Sequence, residues 1–258
     1  MSLPQILSQR DAVPGGFRAT ITDSWLQGRT AYGGLSAALA YEAARVADTD
    51  LPPLRSAQVS FVGPLAGPVT VTAKTLRRGR NAAFVAAEVT GEHGLGLAAT
   101  FVFMRAMDSH VELTGGSGPP ISSGPGPARP VEQAMVPDFL HNFDIAQVDD
   151  WPERSAADTL RWFRAKDRET LDPMTEMMLI GDGLPPAAMA LMTKAVPLSS
   201  LTWIYNILTP EPVSADGWWL LRATSDHIEH GCTSQDMSVW NMDGALSARG
   251  MQSIALFG

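Results

Sequence analysis

Residues 34–46 read GLSAALAYEAARV, and this stretch decides the fold. Leu35, Leu39, Ala43 and Val46 recur at helical spacing, and alanine, the best helix former, fills much of the rest. A helix with so few polar side chains has no face to offer to water, so it must be wrapped by other structure. The wrapping follows in the chain. Strand-like runs over 55–62, 69–76, 82–89 and 95–105 are separated by Gly63-Pro64 with Gly67-Pro68, by Arg78-Gly79-Arg80-Asn81, and by Gly91-Glu92-His93-Gly94. The pattern predicts an antiparallel meander beside one buried helix.

Beyond residue 106 the periodicity stops. Gly115-Gly116-Ser117-Gly118-Pro119-Pro120 and Gly124-Pro125-Gly126-Pro127 read as a linker with nothing regular to bury. The earlier order then recurs. A short strand over 161–165 precedes Asp172-Pro173, a cap and first-turn pair for a helix from Met174 to about Asp182, which Pro185-Pro186 stops. Strands follow over 198–208, 218–228, 233–241 and 245–257, with turns at Pro210-Glu211-Pro212 and Met242-Asp243-Gly244. Setting Ser56–Phe61 against Ser199–Ile204, and Gly94 against Gly244, gives an internal duplication of a helix-plus-sheet unit. The expected class is α+β, with an N-terminal unit over 1–106, a linker over 107–130 and a C-terminal unit over 131–258.

Composition narrows the function classes. The chain has 258 residues, 45% of them hydrophobic, enough for a sizeable core, and its net charge of −8 is spread along the sequence. The densest basic run, Leu76-Arg77-Arg78-Gly79-Arg80, is too small to neutralise a phosphate backbone, so nucleic acid is not an expected partner. No apolar run approaches the roughly 20 residues of a membrane span, and residues 1–10 lack the pattern of a signal peptide. Cys232 is the single cysteine, which rules out an internal disulfide; a cytoplasmic location is expected. Exposed strand edges and apolar sheet faces favour a homo-oligomer.

Several segments, taken in order, resemble the bacterial acyl-CoA thioesterase II group of the double-hotdog superfamily. They are Gly28-Arg29-Thr30-Ala31-Tyr32-Gly33-Gly34, Leu54-Arg55-Ser56 through Phe61, Leu171-Asp172-Pro173 with Asp182-Gly183-Leu184-Pro185-Pro186, and Ala248-Arg249-Gly250-Met251-Gln252. The resemblance implies a tandem double hotdog, each half a long helix wrapped by an antiparallel β-sheet. It also implies hydrolysis of acyl-CoA thioesters by water, with neither metal nor other cofactor, CoA entering only as part of the substrate.

Strand alternation places Gln252 on one face with Ala248, Gly250, Ile254 and Leu256, where an amide needs a partner. That partner is either a backbone group or buried water; the resemblance implies instead that the amide orients the attacking water. In the first half, Val102 falls at the duplicate position. The resemblance further implies an Asp early in the strand after the second helix and a Thr in the next strand. Thr202 and His227 fall at those places, and Thr202 cannot act as a general base. Asp226 and His227 are the local groups able to handle a proton, unless they are only a solvated and a packed side chain on opposite faces. Thr224 or Ser225 could equally hold the Thr position.

Gly33-Gly34, at a helix N-terminus, either stabilise an oxyanion or permit close packing; Tyr32 is grouped with them as substrate-binding. Asp182 is compatible with a helix-borne carboxylate and equally with a cap. The run Asp226 to Cys232 does not converge on one ion in an extended strand, so no metal site is expected. Gly115-Gly116-Ser117-Gly118 lacks the Lys-Ser/Thr of a phosphate loop. The leading alternative to an enzyme is a non-catalytic acyl-CoA or fatty-acyl binding protein. A dehydratase would want a His or Asp at the central helix.

Overall fold

The computed structural model describes residues 1–114, 118, 121, 123–128, 136–148, 151, 156–194 and 196–257. The elements are α1 (Leu3–Ser8), β1 (Asp11–Val13), β2 (Gly16–Ile21), β3 (Leu26–Gln27), β4 (Thr30–Ala31), α2 (Gly33–Ala44), β5 (Leu54–Phe61), β6 (Gly67–Arg78), β7 (Ala82–Gly91) and β8 (Gly94–Met104). Then come β9 (Phe143–Gln147), β10 (Asp158–Ala165), α3 (Pro173–Ile180), β11 (Leu198–Ile207), β12 (Trp219–Glu229), β13 (Cys232–Trp240) and β14 (Leu246–Leu256).

A twelve-stranded antiparallel sheet runs β1-β2-β6-β7-β8-β5-β11-β14-β13-β12-β10-β9, and the small β3–β4 hairpin stands apart. From the central pair outward, each half has the same order: the strand after the helix, then the last, the third and the second strand of its meander. The halves join where β5 pairs with β11, in a register centred on Ile204 opposite Gln58. Both long helices lie against the inner face and against each other. In α2 every residue but Gly33 is buried, as its alanine-rich surface requires, and one apolar core runs through both halves.

The central register corrects the sequence alignment of the halves. With Ile204 and Gln58 as counterparts, Ala57 corresponds to Trp203 and Val59 to Tyr205, and all four side chains are buried. The match of Ser56–Phe61 to Ser199–Ile204 is off by an odd number of residues, which would turn the buried set of one strand to the solvent face of the other. Carried outward, Gln252 pairs with Trp203 and Phe101 with Ala57, so the first-half counterpart of Gln252 is the buried Phe101, not Val102.

Other differences are at the edges. Strands β1, β2 and β9 and helix α1 were not legible as periodic runs, being short. Helix α3 ends at Ile180 rather than at Asp182. Part of residues 107–130, including Gly115 to Ser117, lies outside the described residues. Two described ones pack rather than float: Gly118 donates its N–H to the Gly244 carbonyl, and Ile121 lies on a second apolar cluster of Trp151, Trp162, Trp218 and Trp240.

Candidate active site

The site begins with how α3 stops. Asp172 caps it, accepting the N–H of Met174 at 3.0 Å and of Thr175 at 3.2 Å, and Pro173 supplies a preset first turn. At the other end Gly181 presses on the aromatic floor of β11. A Cβ there would sit 2.8 Å from Tyr205 Cζ and 2.9 Å from Trp203 Cζ2. The chain then turns at Asp182, and Gly183 donates back to the Ile180 carbonyl at 2.8 Å. This tight ending drives the Asp182 carboxylate against the N-terminus of α2.

Four groups converge there. Asp182 accepts the backbone N–H of Gly34, and its Oδ1 accepts Nε2–H of Gln252. Gln252 is 3% exposed, and its Oε1 accepts from Gln235 Nε2 at 3.3 Å. Gln235, 1% exposed, completes the chain by accepting the Ala187 N–H on Oε1 at 2.7 Å. Burial pushes the Asp182 carboxyl up to about 7, against the Gln252 and Gly34 hydrogen bonds, which pull it down. A carboxyl poised there exchanges a proton at neutral pH.

The glycines divide the two roles left open for them. A Cβ on Gly33 would lie 2.5 Å from Asp182 Oδ2 and 2.9 Å from Phe61 Cε1, so the missing side chain leaves room for the carboxylate. A Cβ on Gly34 would strike the Leu179 carbonyl oxygen and the Tyr32 ring, so its absence lets the two helices meet. Tyr32 is 1% exposed, donates its hydroxyl to the Leu179 carbonyl at 2.7 Å and stacks on Phe139 at 4.3 Å. It staples α2 to α3. Burial, then the Asp182 charge, pushes its phenol well above its ordinary value, so it remains a donor.

Thr202, Asp226 and His227 lie elsewhere. A bulge between Ser200 and Thr202 resets the alternation of β11, leaving Thr202 exposed on the outer face. Thr202, Ser253, Ser234 and His227 form one row across β11, β14, β13 and β12, along a groove of about 290 Å³. Only Gln252 of the site touches that groove, and its side chain points inward. Asp226 is the extra residue of a second bulge, and the strand ends in a turn at His230-Gly231, both with positive φ. Thr202 and His227 thus share the outer groove with Gln252, but no hydrogen bond joins Thr202, Asp226 or His227 to the Gln252 amide, which turns inward to Asp182. Among the described residues no three His, Cys, Asp or Glu gather as a metal site, and no helix is long and apolar enough to cross a membrane.

Sequence reasoning missed Gln235 and undervalued Asp182. Polar residues at inward positions of a strand, as in Gln235 two strands from Trp203, were the available signal.

The first half builds the same corner differently. Asp182 is ten residues after the N-cap Asp172, and Glu42 is ten after the N-cap Tyr32. Glu42 sits at the start of α3 and accepts from the Thr175 hydroxyl at 2.5 Å, but two guanidiniums close on it, Arg45 at 2.9 and 3.0 Å and Arg10 at 2.9 Å. Burial pushes the Glu42 carboxyl up, but the Arg45, Thr175 and Arg10 bonds together hold it below its ordinary value. The inward row Trp203-Gln252-Gln235 is matched by Ala57-Phe101-Val85, with no amide.

Two family models match the chain: an acyl-CoA thioesterase N-terminal domain over residues 21–106 and an acyl-CoA thioesterase C-terminal domain over 117–256. A comparison with curated protein sequences finds no match. Among solved structures, a conserved hot-dog-fold protein of unknown function from Alicyclobacillus acidocaldarius superposes with a TM-score of 0.81 at 22% identity, covering 98% of this chain and 97% of that one. The tesB protein of Mycobacterium avium subs paratuberculosis gives 0.77 at 16% identity over 100% of both chains. An acyl-CoA thioesterase II from Mycobacterium marinum gives 0.73 at 17%, covering 100% and 98%. These similarities establish the hotdog fold.

Proposed function

Because the chain belongs to the acyl-CoA thioesterase family, we propose that it hydrolyses acyl-CoA thioesters with Asp182 as general base and Gln252 as the amide that orients water. The observation that carries this reading is the Asp182–Gln252 pair at the N-terminus of α2. Water held between them attacks the thioester carbon and gives its proton to Asp182. The carbonyl oxygen becomes an oxyanion, and the positive end of the α2 dipole stabilises it. The C–S bond then breaks, the tetrahedral carbon becomes a carboxylic acid, and the CoA sulfur leaves with the proton from Asp182. Chemistry of this kind is carried through by the carboxylate, the amide and the helix terminus, with no step assigned to a metal or cofactor.

The architecture fits a tandem double hotdog with units over 1–106 and 131–258, of which only the second is equipped. The Arg45 and Arg10 clamp on Glu42 keeps that carboxylate from acting as a base. A non-catalytic binder was favoured by the want of a carboxylate near Gln252, and Asp182 supplies it. None of the five histidines is buried, so a dehydratase reading would rest on Asp182 alone, and the family models favour hydrolysis. A cytoplasmic homo-oligomer acting on acyl-CoA remains part of the proposal.

The test is release of free thiol from a panel of acyl-CoAs by the wild type, Asp182→Asn and Gln252→Ala. Loss of one proton-transfer or orienting group should lower kcat by about 100-fold or more in a folded protein. A wild type that binds acyl-CoA but hydrolyses none of the panel would overturn the enzyme reading.

A further inference from the structure

We propose that Gln235 is a positioning residue that sets the direction in which the Gln252 amide faces Asp182. The argument is one of hydrogen-bond polarity. An amide side chain is nearly symmetric in shape, and its orientation is fixed only by its neighbours. The chain of bonds starts at a group with no freedom: the Ala187 backbone N–H can only donate, and it points at Gln235 at 2.7 Å. Gln235 must therefore turn its oxygen to Ala187 and its NH2 to Gln252, 3.3 Å away. Gln252 must then present its oxygen to Gln235 and its NH2 to Asp182. Were Gln252 turned over, its oxygen would face the carboxylate and its NH2 would face another NH2, leaving buried groups unpaired at both ends.

Two further observations single out this position. Gln235 is 1% exposed on a strand whose other inward residues include Thr233, Met237 and Val239, so a second buried amide has no packing reason to be there. In the first half the same place in the register is held by Val85, beside Phe101 in place of Gln252. The two amides occur together in the half that has Asp182 and are both missing from the half that has the clamped Glu42. The segment after α3 is also tied in, because Ala187 lies five residues past Asp182; one side chain thus holds both the loop carrying the carboxylate and the amide that faces it.

The proposal rests on the Asp182–Gln252 reading above, and its test is read without turnover. Protein labelled with 13C at aspartate is titrated by NMR, with Gln252→Ala marking the limit in which the amide is gone. Two variants are compared. Gln235→Met keeps the volume and loses both bonds, and Gln235→Glu still accepts from Ala187 but does not donate to Gln252 when ionised. In both, the Asp182 titration should move upward by about half a unit or more toward that of Gln252→Ala. In thiol release, kcat should fall by about 10-fold with KM within about twofold, since the effect passes through Gln252 and not through substrate contact. An Asp182 titration unmoved in either folded variant overturns the proposal, whatever the activity. A wild type that hydrolyses nothing, with the titration shifted as expected, overturns the enzyme reading and leaves the positioning role standing.

Discussion

Adjacent glycines at the start of α2 carry different burdens, and substitution separates them. In Gly33→Ala the new methyl lands 2.5 Å from Asp182 Oδ2, so the carboxylate is pushed off its partners while the helix, gaining an alanine, keeps its stability. Expected is a kcat loss of about 10-fold or more, with a Tm lowered only as far as the Phe61 ring, 2.9 Å from the new methyl, has to yield. In Gly34→Ala the methyl strikes backbone at Leu179, which cannot swing aside. That overpacking should cost about 1–3 kcal/mol, read as a lowered urea midpoint. Thr202→Ala and His227→Ala, whose side chains face the outer groove, should leave kcat within about twofold. The inward face of Gln252 was legible from strand alternation, and its role from the family resemblance. Asp182 was visible but ambiguous, because a carboxylate just past a helix can be a cap, a surface group or a base until its neighbours are known. Thr202 and His227 show the reverse failure: one bulge each moves a strand residue to the other face, and nothing local announces a bulge.

At the scale of elements, α2 and α3 run side by side, each ending its carboxylate at the other's beginning. Asp182 meets Gly34, and Glu42 meets Thr175. The two corners differ in charge balance. Glu42 is paired with Arg45 and Arg10, about one third exposed at 34% and 36%, so Glu42→Gln leaves two cations that partly rehydrate. The expected loss is about 2 kcal/mol, below the 3–5 kcal/mol for breaking a fully buried pair. Chemical denaturation should show it, with kcat/KM for thioester unchanged within about twofold. Helices α2 and α3 and the nine long strands, β5 to β8 and β10 to β14, were readable from periodicity and turn signals. The short edge strands β1, β2 and β9 were not, since a few residues at the rim of a sheet carry too little pattern to tell from loop.

Across the whole molecule the two carboxyls pull stability in opposite directions with pH. Glu42, held below its ordinary value, stabilises the fold above the unfolded carboxyl range, and that contribution is lost as pH falls through its folded pKa. Asp182 is raised from 3.8 to about 7, so the folded state binds its proton more tightly than the unfolded chain. Its share of stability is full below the unfolded value and is lost as pH rises through about 7, a change on the order of 4 kcal/mol at 1.36 kcal/mol per unit. The expected profile of these two groups has its maximum near about pH 4, declines on the alkaline side through about pH 7 and levels off above. Asp182→Asn should flatten the alkaline decline and make the protein more stable at pH 8 while it inactivates it, a trade between stability and activity. Thermal melts at pH 4, 5, 6, 7 and 8 on both proteins check this. In the same range kcat/KM should rise with pH through about 7, as one group ionises.

What the amino-acid order determined by itself was the plan: two buried helices, the long strands after each, a break between them and a buried amide on the last strand. Hydrophobic period and turn chemistry are local properties, and they survive reading without coordinates. What only the tertiary structure decided was which residues meet. Asp182, Gln252, Gln235 and Gly34 lie far apart in the chain and converge because α3 stops against α2 and because β13, β14 and β11 pair in one register. Register depends on bulges and on which side of a sheet a helix covers, and these are set by packing across the whole core, beyond the reach of any single segment.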